Sequence, residues 1–236
     1  METFLYILLI AVLSYLLGSI PTGVIISKRF FGMDIREKGS GNMGSTNTFR
    51  VLGWKWGIVV QVVDILKGFI AVSVIATYLG NGITFPNATG FEDLTLLKIL
   101  GGVMAIAGHI WPLFAGFKGG KGINTAAGMM IGLVPVDVAV ALALFIIAVI
   151  SSGYVSLGSI VAAFTIPGSL LVRYNILGAD IPGYKILIYF SLAMLVVVIY
   201  THRTNIKRLL KGTENKFAKL QLIKCKLFSK AEEVNK

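Results

Sequence analysis

Cysteine, histidine and acidic side chains are scarce in this chain. Its 236 residues include one cysteine, two histidines and 11 aspartates or glutamates. The single cysteine, Cys225, excludes an internal disulfide and has no metal-ligating companions in the sequence. The sequence also contains no acidic cluster for a metal, no nucleophile elbow and no oxidoreductase cofactor motif. We therefore expect neither a metal nor a cofactor.

Charged residues as a whole are few. They make up 14% of the chain, against about 25% in average soluble domains, while hydrophobic residues make up 56%. Several near-continuous apolar runs approach the ~20 residues that a helix needs to cross a bilayer. These features predict an all-α integral membrane protein. We expect one membrane domain over residues 1–216 and a basic, amphipathic tail over 217–236 that lies on the inner leaflet.

The few charges are unevenly placed, and their distribution predicts the topology. Basic residues outnumber acidic ones in segment 28–56 and after Tyr200, whereas segment 80–96 has no Lys or Arg. The positive-inside rule therefore places the first segment and the C-terminus in the cytoplasm and the N-terminus outside. We expect segment 28–56 to be a long polar loop. The net charge of +11 favours anionic lipid or phosphate as partners over nucleic acid.

The number of membrane crossings depends on the apolar stretch 126–150. The basic segments on either side of residues 126–200 are both cytoplasmic, so the number of crossings between them must be even. Runs 155–172 and 185–200 supply two crossings, and 126–150 must supply an even number. Pro135 marks a break, which predicts a short helix before it, a second after it and seven helices in total. Five longer helices with a re-entrant segment remain the alternative.

A glycine-rich and basic stretch lies between two apolar runs. Residues 116–122 read Gly-Phe-Lys-Gly-Gly-Lys-Gly, and we call them the glycine–lysine loop. Glycines let a backbone approach a ligand closely, successive N–H groups can converge on an anion, and lysines add positive charge. A following helix would direct its positive N-terminal end at the loop. The pattern predicts a phosphate cradle, with a flexible basic loop as the alternative. It does not match a nucleotide P-loop, because only three residues, instead of four, separate Gly116 from Gly120-Lys121, and Gly122 replaces Ser or Thr.

A second polar motif occupies residues 39–47. It reads Gly-Ser-Gly-Asn-Met-Gly-Ser-Thr-Asn, and Arg50 follows it. The match to G-x-G-x-x-G carries no weight, because no strand–turn–helix context surrounds it. Its short donors on a pliable backbone, together with an arginine that can bind phosphate in a bidentate manner, predict an anion site. A turn-rich loop capped by Ser and Asn is the alternative.

Ionisable residues also occur within or beside the apolar runs. Asp64 and Lys67 are three residues apart and share a helix face, and we favour an ion pair that orients the helix over a wall of the site. His109 is expected to be a satisfied structural hydrogen-bonder rather than a substrate ligand. His202 and Asn205 lie on one face of a continuing helix and could bind hydroxyl or phosphate groups. The alternative for this last stretch is a basic segment that contacts anionic lipid.

Together these motifs resemble those of a known family. Residues 40–47, 108–122 and 202–214 are similar, in content, order and spacing, to the three signature motifs of bacterial acyl-phosphate:glycerol-3-phosphate acyltransferases. The resemblance covers the chain from the first helix to about Lys216. The sequence departs from the family pattern at Ser45, where alanine is common, and at Ile123-Asn124, where Val-Ala is usual.

The resemblance implies a fold and a reaction. The fold would be a seven-transmembrane-helix bundle with the N-terminus outside, in the bacterial inner membrane, with the active site on the cytoplasmic face. The reaction would transfer a fatty acyl group from acyl phosphate to the 1-hydroxyl of glycerol 3-phosphate, giving lysophosphatidic acid and inorganic phosphate for phospholipid synthesis. No acyl-CoA, carrier protein or covalent acyl-enzyme would take part. The partners would be these substrates and membrane lipids, with the acyl-phosphate-producing enzyme as a further candidate.

The resemblance also assigns roles to individual residues. Its catalytic residues would be Ser40, Lys121, His202 and Asn205. Its substrate-binding residues would be Asn42, Thr46, Asn47, Arg50, Gly119, Gly120 and Ser159. The group of Ser40, Gly119, Gly120 and Lys121 would hold the donor phosphoryl group and stabilise the charge that develops on it and on the carbonyl oxygen. The group of Arg50, His202 and Asn205 would bind glycerol 3-phosphate, with support from Thr46 and Ser159. The base would be a phosphate oxygen of the donor, with His202 as the alternative.

Two other functional classes are weaker. A transporter or channel for a phosphate-bearing solute would also need anion sites at helix ends. Such a carrier needs polar residues near the membrane midplane, whereas these motifs all lie on one side, and no internal repeat is present. A lipid-binding scaffold would leave the glycine–lysine loop without a role.

Overall fold

The computed structural model describes residues 2–216, and every regular element within them is helical. The α-helices in this range are α1 Glu2–Gly18, α2 Thr22–Phe31, α3 Ser45–Leu52, α4 Trp54–Ile70, α5 Thr77–Gly80, α6 Asp93–Ile110, α7 Ile123–Leu133, α8 Pro135–Ser152, α9 Val155–Asn175, α10 Tyr184–Thr201 and α11 Arg203–Leu210. A π-helical segment, Ala71–Ala76, joins α4 to α5. The amphipathic tail predicted for 217–236 lies outside the described residues.

Among residues 2–216, six helical runs are long and apolar enough to cross a membrane. They are Glu2–Phe31, Trp54–Gly80, Asp93–Ala115, Pro135–Ser152, Val155–Asn175 and Tyr184–Thr201. The predicted break at Pro135 is confirmed, because α7 ends at Leu133 and α8 begins with the proline, which needs no N–H partner at a first helical position. With 11 residues, α7 is about 16 Å long, shorter than a ~30 Å hydrocarbon core. The count of seven crossings therefore stays a prediction.

The expectation of a long loop over segment 28–56 is wrong. Helix α3 lies inside this segment, and α2 and α4 extend into it. Val51 and Leu52 near the end of α3 pack against a buried cluster that includes Ile35 and Met43. This apolar contact stabilises a helix of only eight residues, which local composition rich in Ser, Thr and Asn does not favour.

The described chain divides into two compact units. The first ends at Val134, and within it α1 packs on α6 while α4 packs on α7 and α3. The second begins at Pro135, and within it α9 packs on both α8 and α10.

Glycines bring α4 and α7 close together in the first unit. A Cβ atom at Gly128 would overlap the carbonyl oxygen of Ile65, and one at Gly68 would overlap that of Thr125. The two helix backbones are therefore in direct contact, as is typical of small-residue packing in membrane proteins. This contact positions α7 and with it the exit of the glycine–lysine loop.

Replacing Gly128 with alanine is expected to lower the free energy of unfolding by about 1–3 kcal/mol, because backbone atoms cannot move away as a flexible side chain can. Gly168→Ala in α9 is the matched control. No atom lies within 4 Å of a Cβ there, and alanine is the better helix former by about 1 kcal/mol. Thermal unfolding in detergent should show a lower melting temperature for the first variant only. Equal melting temperatures would show that the α4–α7 contact relaxes freely.

A buried ion pair on α4 contacts the break that follows α1. Lys67 Nζ is 2.7 Å from Asp64 Oδ1, and each residue is 2% exposed. Lys67 also donates to the Ile20 carbonyl at 2.5 Å, and the Thr22 hydroxyl donates to Asp64 at 3.3 Å. The predicted structural pair is confirmed, and it holds α4 against the Ile20–Thr22 segment.

Candidate functional site

The first unit contains a cavity of about 270 Å³ that collects most of the predicted anion-binding residues. Its lining consists of Ser40, Asn42, Gly44, Ser45, Thr46, Asn47, Arg50, Asp64, His109, Lys121, Gly122, Ile123 and Asn124. Two of the three motifs, the segment 39–47 and the glycine–lysine loop, thus meet at one place. We call this the first cavity.

Two helices begin at the first cavity. Helix α3 starts at Ser45 and α7 starts at Ile123, and both residues line it. The first N–H groups of a helix have no intrahelical acceptor, and the helix dipole makes this end positive. The backbone alone therefore favours an anion here.

Two unpaired cations add to this field. Arg50 and Lys121 are both exposed and both line the cavity. Within residues 2–216 neither side chain has an ion-pair partner. Their charges are not neutralised by the protein, so the cavity is suited to a group with more than one negative charge. The assignment of Arg50 to glycerol 3-phosphate stays a prediction.

The side chain of Asn47, whose part in substrate binding stays a prediction, forms hydrogen bonds within its own loop. Its side chain is 1% exposed, and its Oδ1 accepts from the backbone N–H of Ser40 at 2.8 Å. Its Nδ2 donates to the carbonyls of Ile35, Lys38 and Asn42 at 3.2, 3.0 and 2.9 Å. An amide nitrogen has two hydrogens, so no donor is left for a ligand. Asn47 therefore orders the loop that presents Ser40.

Neighbouring loop residues have simpler roles. Asn42 Oδ1 accepts from the N–H of Gly44 at 2.8 Å, which shapes the turn that leads into α3. Thr46 and Ser40 are exposed at the cavity. Their predicted contacts with substrate are compatible with these positions and stay predictions.

The glycine–lysine loop uses its glycines in two ways. Gly116 and Gly122 have φ of +63° and +74°, as expected for glycine in a cradle. Gly119 and Gly120 do not line the first cavity and instead pack against His109. The N–H of Gly120 donates to the carbonyl of His109 at 3.0 Å, so it is not directed at a ligand. Their predicted contact with the phosphoryl group stays a prediction, and the structure gives them a second reason to be glycine.

The floor of the first cavity includes Asp64, for which the sequence analysis favoured a structural pair over a wall of the site, and His109, which it did not favour as a ligand. Asp64 and His109 line it, and both are nearly fully buried. His109 Nδ1 has no hydrogen-bond partner among the described residues and lies 3.7 Å from Asp64 Oδ1. The expectation of a satisfied histidine is therefore wrong. The signal in the sequence was a carboxylate inside an apolar run, which often faces a polar cavity.

The second unit contains a cavity of about 310 Å³ around the third motif. Its lining consists of Val155, Ser156, Ser159, His202, Asn205, Arg208, Glu214 and Asn215. The predicted residues Ser159, His202 and Asn205 are thus together. Ser156, Arg208 and Glu214 are polar members that sequence reasoning did not assign to the site. We call this the second cavity.

His202 does not continue a helix, contrary to expectation. It lies at the junction where α10 ends and α11 begins, with φ −93° and ψ 7°. Its Nδ1 is 2.9 Å from the carbonyl oxygen of Val198. A carbonyl oxygen only accepts, so Nδ1 carries the hydrogen and Nε2 of the neutral ring keeps its lone pair. His202 is therefore able to accept a proton or a hydroxyl hydrogen at Nε2.

Glu214 organises the second cavity. Its carboxylate accepts from Ser156 at 3.0 Å, from Asn205 at 2.8 Å and from Arg208 at 2.6 Å. Burial raises the pKa of this carboxyl, but the three hydrogen bonds and the Arg208 charge outweigh it and lower the pKa overall. The ionised carboxylate holds Nδ2 of Asn205 and leaves its Oδ1 as an acceptor. Glu214 is the last residue of the third motif, and the resemblance assigned it no role.

Glu214→Gln is expected to lower the melting temperature at pH 7, because a neutral amide is a weaker acceptor for Arg208 and cannot accept at both positions. A lowered pKa in the folded state means that the carboxylate stabilises the fold above the unfolded pKa of about 4.3 and loses this effect as the pH falls. The difference in melting temperature between wild type and variant should therefore shrink below about pH 4.3. Glu37→Gln, at an exposed glutamate, should show no such pH-dependent difference. A difference in melting temperature that is constant with pH would contradict the stabilising role of the ionised Glu214 carboxylate.

Comparisons with known proteins agree with the resemblance. A family model described as glycerol-3-phosphate acyltransferase matches residues 8–212. The chain is 45% identical over 235 residues to the glycerol-3-phosphate acyltransferase of Chlorobaculum tepidum, covering 92% of this chain and 98% of the relative. It is 43% identical over 231 residues to that of Chlorobium phaeobacteroides, covering 90% and 97%.

Two crystal structures of PlsY, an integral membrane glycerol 3-phosphate acyltransferase, are similar to this chain. The glycerol 3-phosphate form is 33% identical with a TM-score of 0.64, covering 91% of this chain and 96% of PlsY. The lysophosphatidic acid form is 31% identical with the same TM-score, covering 92% and 97%.

Proposed function

Because this chain belongs to the glycerol-3-phosphate acyltransferase family, we propose that it transfers a fatty acyl group from acyl phosphate to the 1-hydroxyl of glycerol 3-phosphate. The products would be lysophosphatidic acid and inorganic phosphate. Its membership makes it an acyltransferase and a multi-pass membrane protein. PlsY was crystallised in a glycerol 3-phosphate form and in a lysophosphatidic acid form. This supports the two compounds as substrate and product here.

The observation that carries the proposal is the first cavity. It combines two helix N-termini with the unpaired charge of Lys121, and Arg50, predicted to bind glycerol 3-phosphate, adds a second charge to its lining. Such a cavity suits the phosphoryl group of an acyl phosphate, whose negative charge increases as it leaves. Fixed donors placed where charge develops lower the barrier more than they stabilise the bound substrate. Lys121 and Ser40 supply side-chain donors to this group.

The chemistry needs no enzyme nucleophile. The 1-hydroxyl oxygen of glycerol 3-phosphate forms a bond to the acyl carbonyl carbon. The bond from that carbon to the bridging phosphate oxygen breaks, and its electron pair leaves with the phosphate. The hydroxyl proton goes to a phosphate oxygen of the donor, with Nε2 of His202 as the alternative acceptor. Acyl phosphate is already activated, so holding the two substrates in position supplies much of the rate.

The second cavity is proposed to bind glycerol 3-phosphate. Nε2 of His202 and Oδ1 of Asn205 are acceptors for hydroxyl hydrogens, and Arg208, whose Nε donates to Glu214, has further N–H donors in the same lining. Ser159, whose hydroxyl donates to the Val155 carbonyl at 3.1 Å, can accept a further hydrogen bond.

The donor and the direct transfer are tested by phosphate release from purified protein in lipid. Acyl phosphate with glycerol 3-phosphate should release phosphate and form lysophosphatidic acid, and acyl-CoA should not replace acyl phosphate. Without glycerol 3-phosphate, direct transfer predicts no burst of phosphate and no labelled protein after incubation with radiolabelled acyl phosphate. One phosphate per enzyme together with protein-bound acyl label would establish a covalent intermediate instead. No release with either donor, from folded protein, would favour the transporter alternative.

The proposed orientation has seven crossings in the bacterial inner membrane, the N-terminus outside, and the C-terminus and active site in the cytoplasm. It is supported by the basic residues of segment 28–56 and of the chain after Tyr200. Since Cys225 is the single cysteine, labelling of intact cells with an impermeant maleimide tests it. Cys225 should react only after the cells are lysed. In a Cys225→Ser background, a cysteine introduced by Asn87→Cys should already react in intact cells. Labelling of Cys225 in intact cells would reverse the orientation.

A further inference from the structure

The two departures from the family pattern touch each other across the first cavity. Asn124 Nδ2 donates to Ser45 Oγ at 2.9 Å, between residues 79 positions apart in the chain. Both residues line the first cavity together with Arg50 and Lys121. Where the resemblance expects two small apolar side chains, this chain has one hydrogen-bonded polar pair.

The pair joins the starts of two helices. Ser45 is the first residue of α3 and Asn124 is the second residue of α7. These are the two helix N-termini that direct their positive ends at the cavity. A direct hydrogen bond between them sets their separation, and with it the spacing of the backbone N–H groups that an anion would contact.

The pair also keeps hydrogen-bonding capacity for a ligand. Ser45 Oγ accepts from Asn124, so its own hydrogen is available, and Asn124 has a second amide hydrogen. Within residues 2–216 neither hydrogen has an acceptor in the protein. Ser45 is 8% exposed, and this exposed surface belongs to the cavity that it lines. Two neutral donors thus lie beside two cations.

We propose that the Ser45–Asn124 bridge positions the α3 and α7 N-termini and tightens binding of the donor phosphoryl group in the first cavity. This rests on the proposed function, in which that cavity receives acyl phosphate. Because the bridge acts on binding of the phosphoryl group in substrate and transition state alike, it lowers KM for acyl phosphate and leaves kcat nearly unchanged. The residues are positioning residues and do not contact the reacting carbonyl.

Kinetics of Ser45→Ala, Asn124→Ala and the double variant test the bridge. Each single variant should raise KM for acyl phosphate and the inhibition constant of inorganic phosphate by about fivefold, which is the effect expected from the loss of one hydrogen bond. The KM for glycerol 3-phosphate and kcat should stay within about twofold, since neither depends on the bridge. The double variant should fall clearly short of the about 25-fold that two independent contacts would give, because either single change already removes the bridge and only the free donor of the second residue is left to lose. Ser45→Thr keeps the hydroxyl and should restore the wild-type KM.

The matched control is Asn175→Ala. Asn175 Nδ2 donates to the Tyr184 hydroxyl at 3.0 Å, the same amide–hydroxyl chemistry outside both cavities. It should leave every kinetic constant unchanged. Thermal unfolding without phosphate shows whether any variant is simply less stable.

Several results would overturn the bridge. The first is an unchanged KM in both single variants. The second is a KM of the double variant raised by about 25-fold, the product expected of two independent contacts. The third is a fall in kcat with KM unchanged. Wild-type turnover of acyl phosphate with any of these results leaves the proposed function intact. If wild type does not use acyl phosphate, the proposed function fails, and the rise in melting temperature caused by inorganic phosphate alone tests the bridge. An equal rise in wild type and Ser45→Ala would then overturn it.

Discussion

Lys121→Ala is expected to lower kcat with acyl phosphate by at least about 100-fold, the effect of removing one donor that stabilises developing charge. Lys121 is exposed and lines the first cavity, and it has no ion-pair partner among residues 2–216. Its charge is therefore available to a ligand, and we expect it to contribute little to stability. The melting temperature in detergent should stay within a few degrees of wild type.

Lys118→Ala is the matched control for this experiment. Lys118 belongs to the same glycine–lysine loop, is also exposed and carries the same charge, but it does not line the cavity. Its turnover should stay within about twofold of wild type, since an exposed charge outside the site acts only through a screened field. Lys121→Arg keeps the charge with a different geometry, and its turnover should lie between those of Lys121→Ala and Lys118→Ala. Near-normal turnover of Lys121→Ala would show that the glycine–lysine loop does not act as a phosphate cradle in the reaction.

Asp64→Ala is expected to destabilise the protein by about 3–5 kcal/mol, because it leaves the Lys67 ammonium buried without its carboxylate. Much of the variant should fail to purify as a folded protein, and the remainder should unfold at a clearly lower temperature. Asp180→Ala, at an exposed aspartate, is the control and should change little. Thermal unfolding and the yield of monodisperse protein in detergent measure both.

The double variant Asp64→Leu/Lys67→Met separates the two roles of this pair. Well-packed apolar residues of similar volume often match a buried ion pair in stability, so most of the lost stability should return. Activity should not return, because Asp64 also lines the floor of the first cavity beside His109. Recovery of both stability and turnover would show that the carboxylate has only a structural role.

Much of the helical framework could be predicted from local patterns. Long apolar runs predict helices wherever their length and polarity suit a bilayer, and a proline such as Pro135 ends one helix and begins another for steric reasons. The Asp64–Lys67 pair follows from a spacing of three residues on one helix. Helix α3 could not be predicted in this way, because contacts with the cluster of Val24, Ile35 and Met43 outside the helix stabilise it more than its own composition does.

The sequence by itself determined the membrane class, the placement of the charges and the three motifs, because hydropathy, charge and short-range spacing act within one segment. Only the tertiary structure decided which residues meet. It occupied the amide of Asn47 within its loop, placed Gly120 against His109, and brought Asn124 to Ser45. The contact of Asn124 with Ser45 also depends on the position of α7, which is set by its close approach to α4 through Gly68 and Gly128. Such packing joins residues far apart in the chain, so no local pattern contains it.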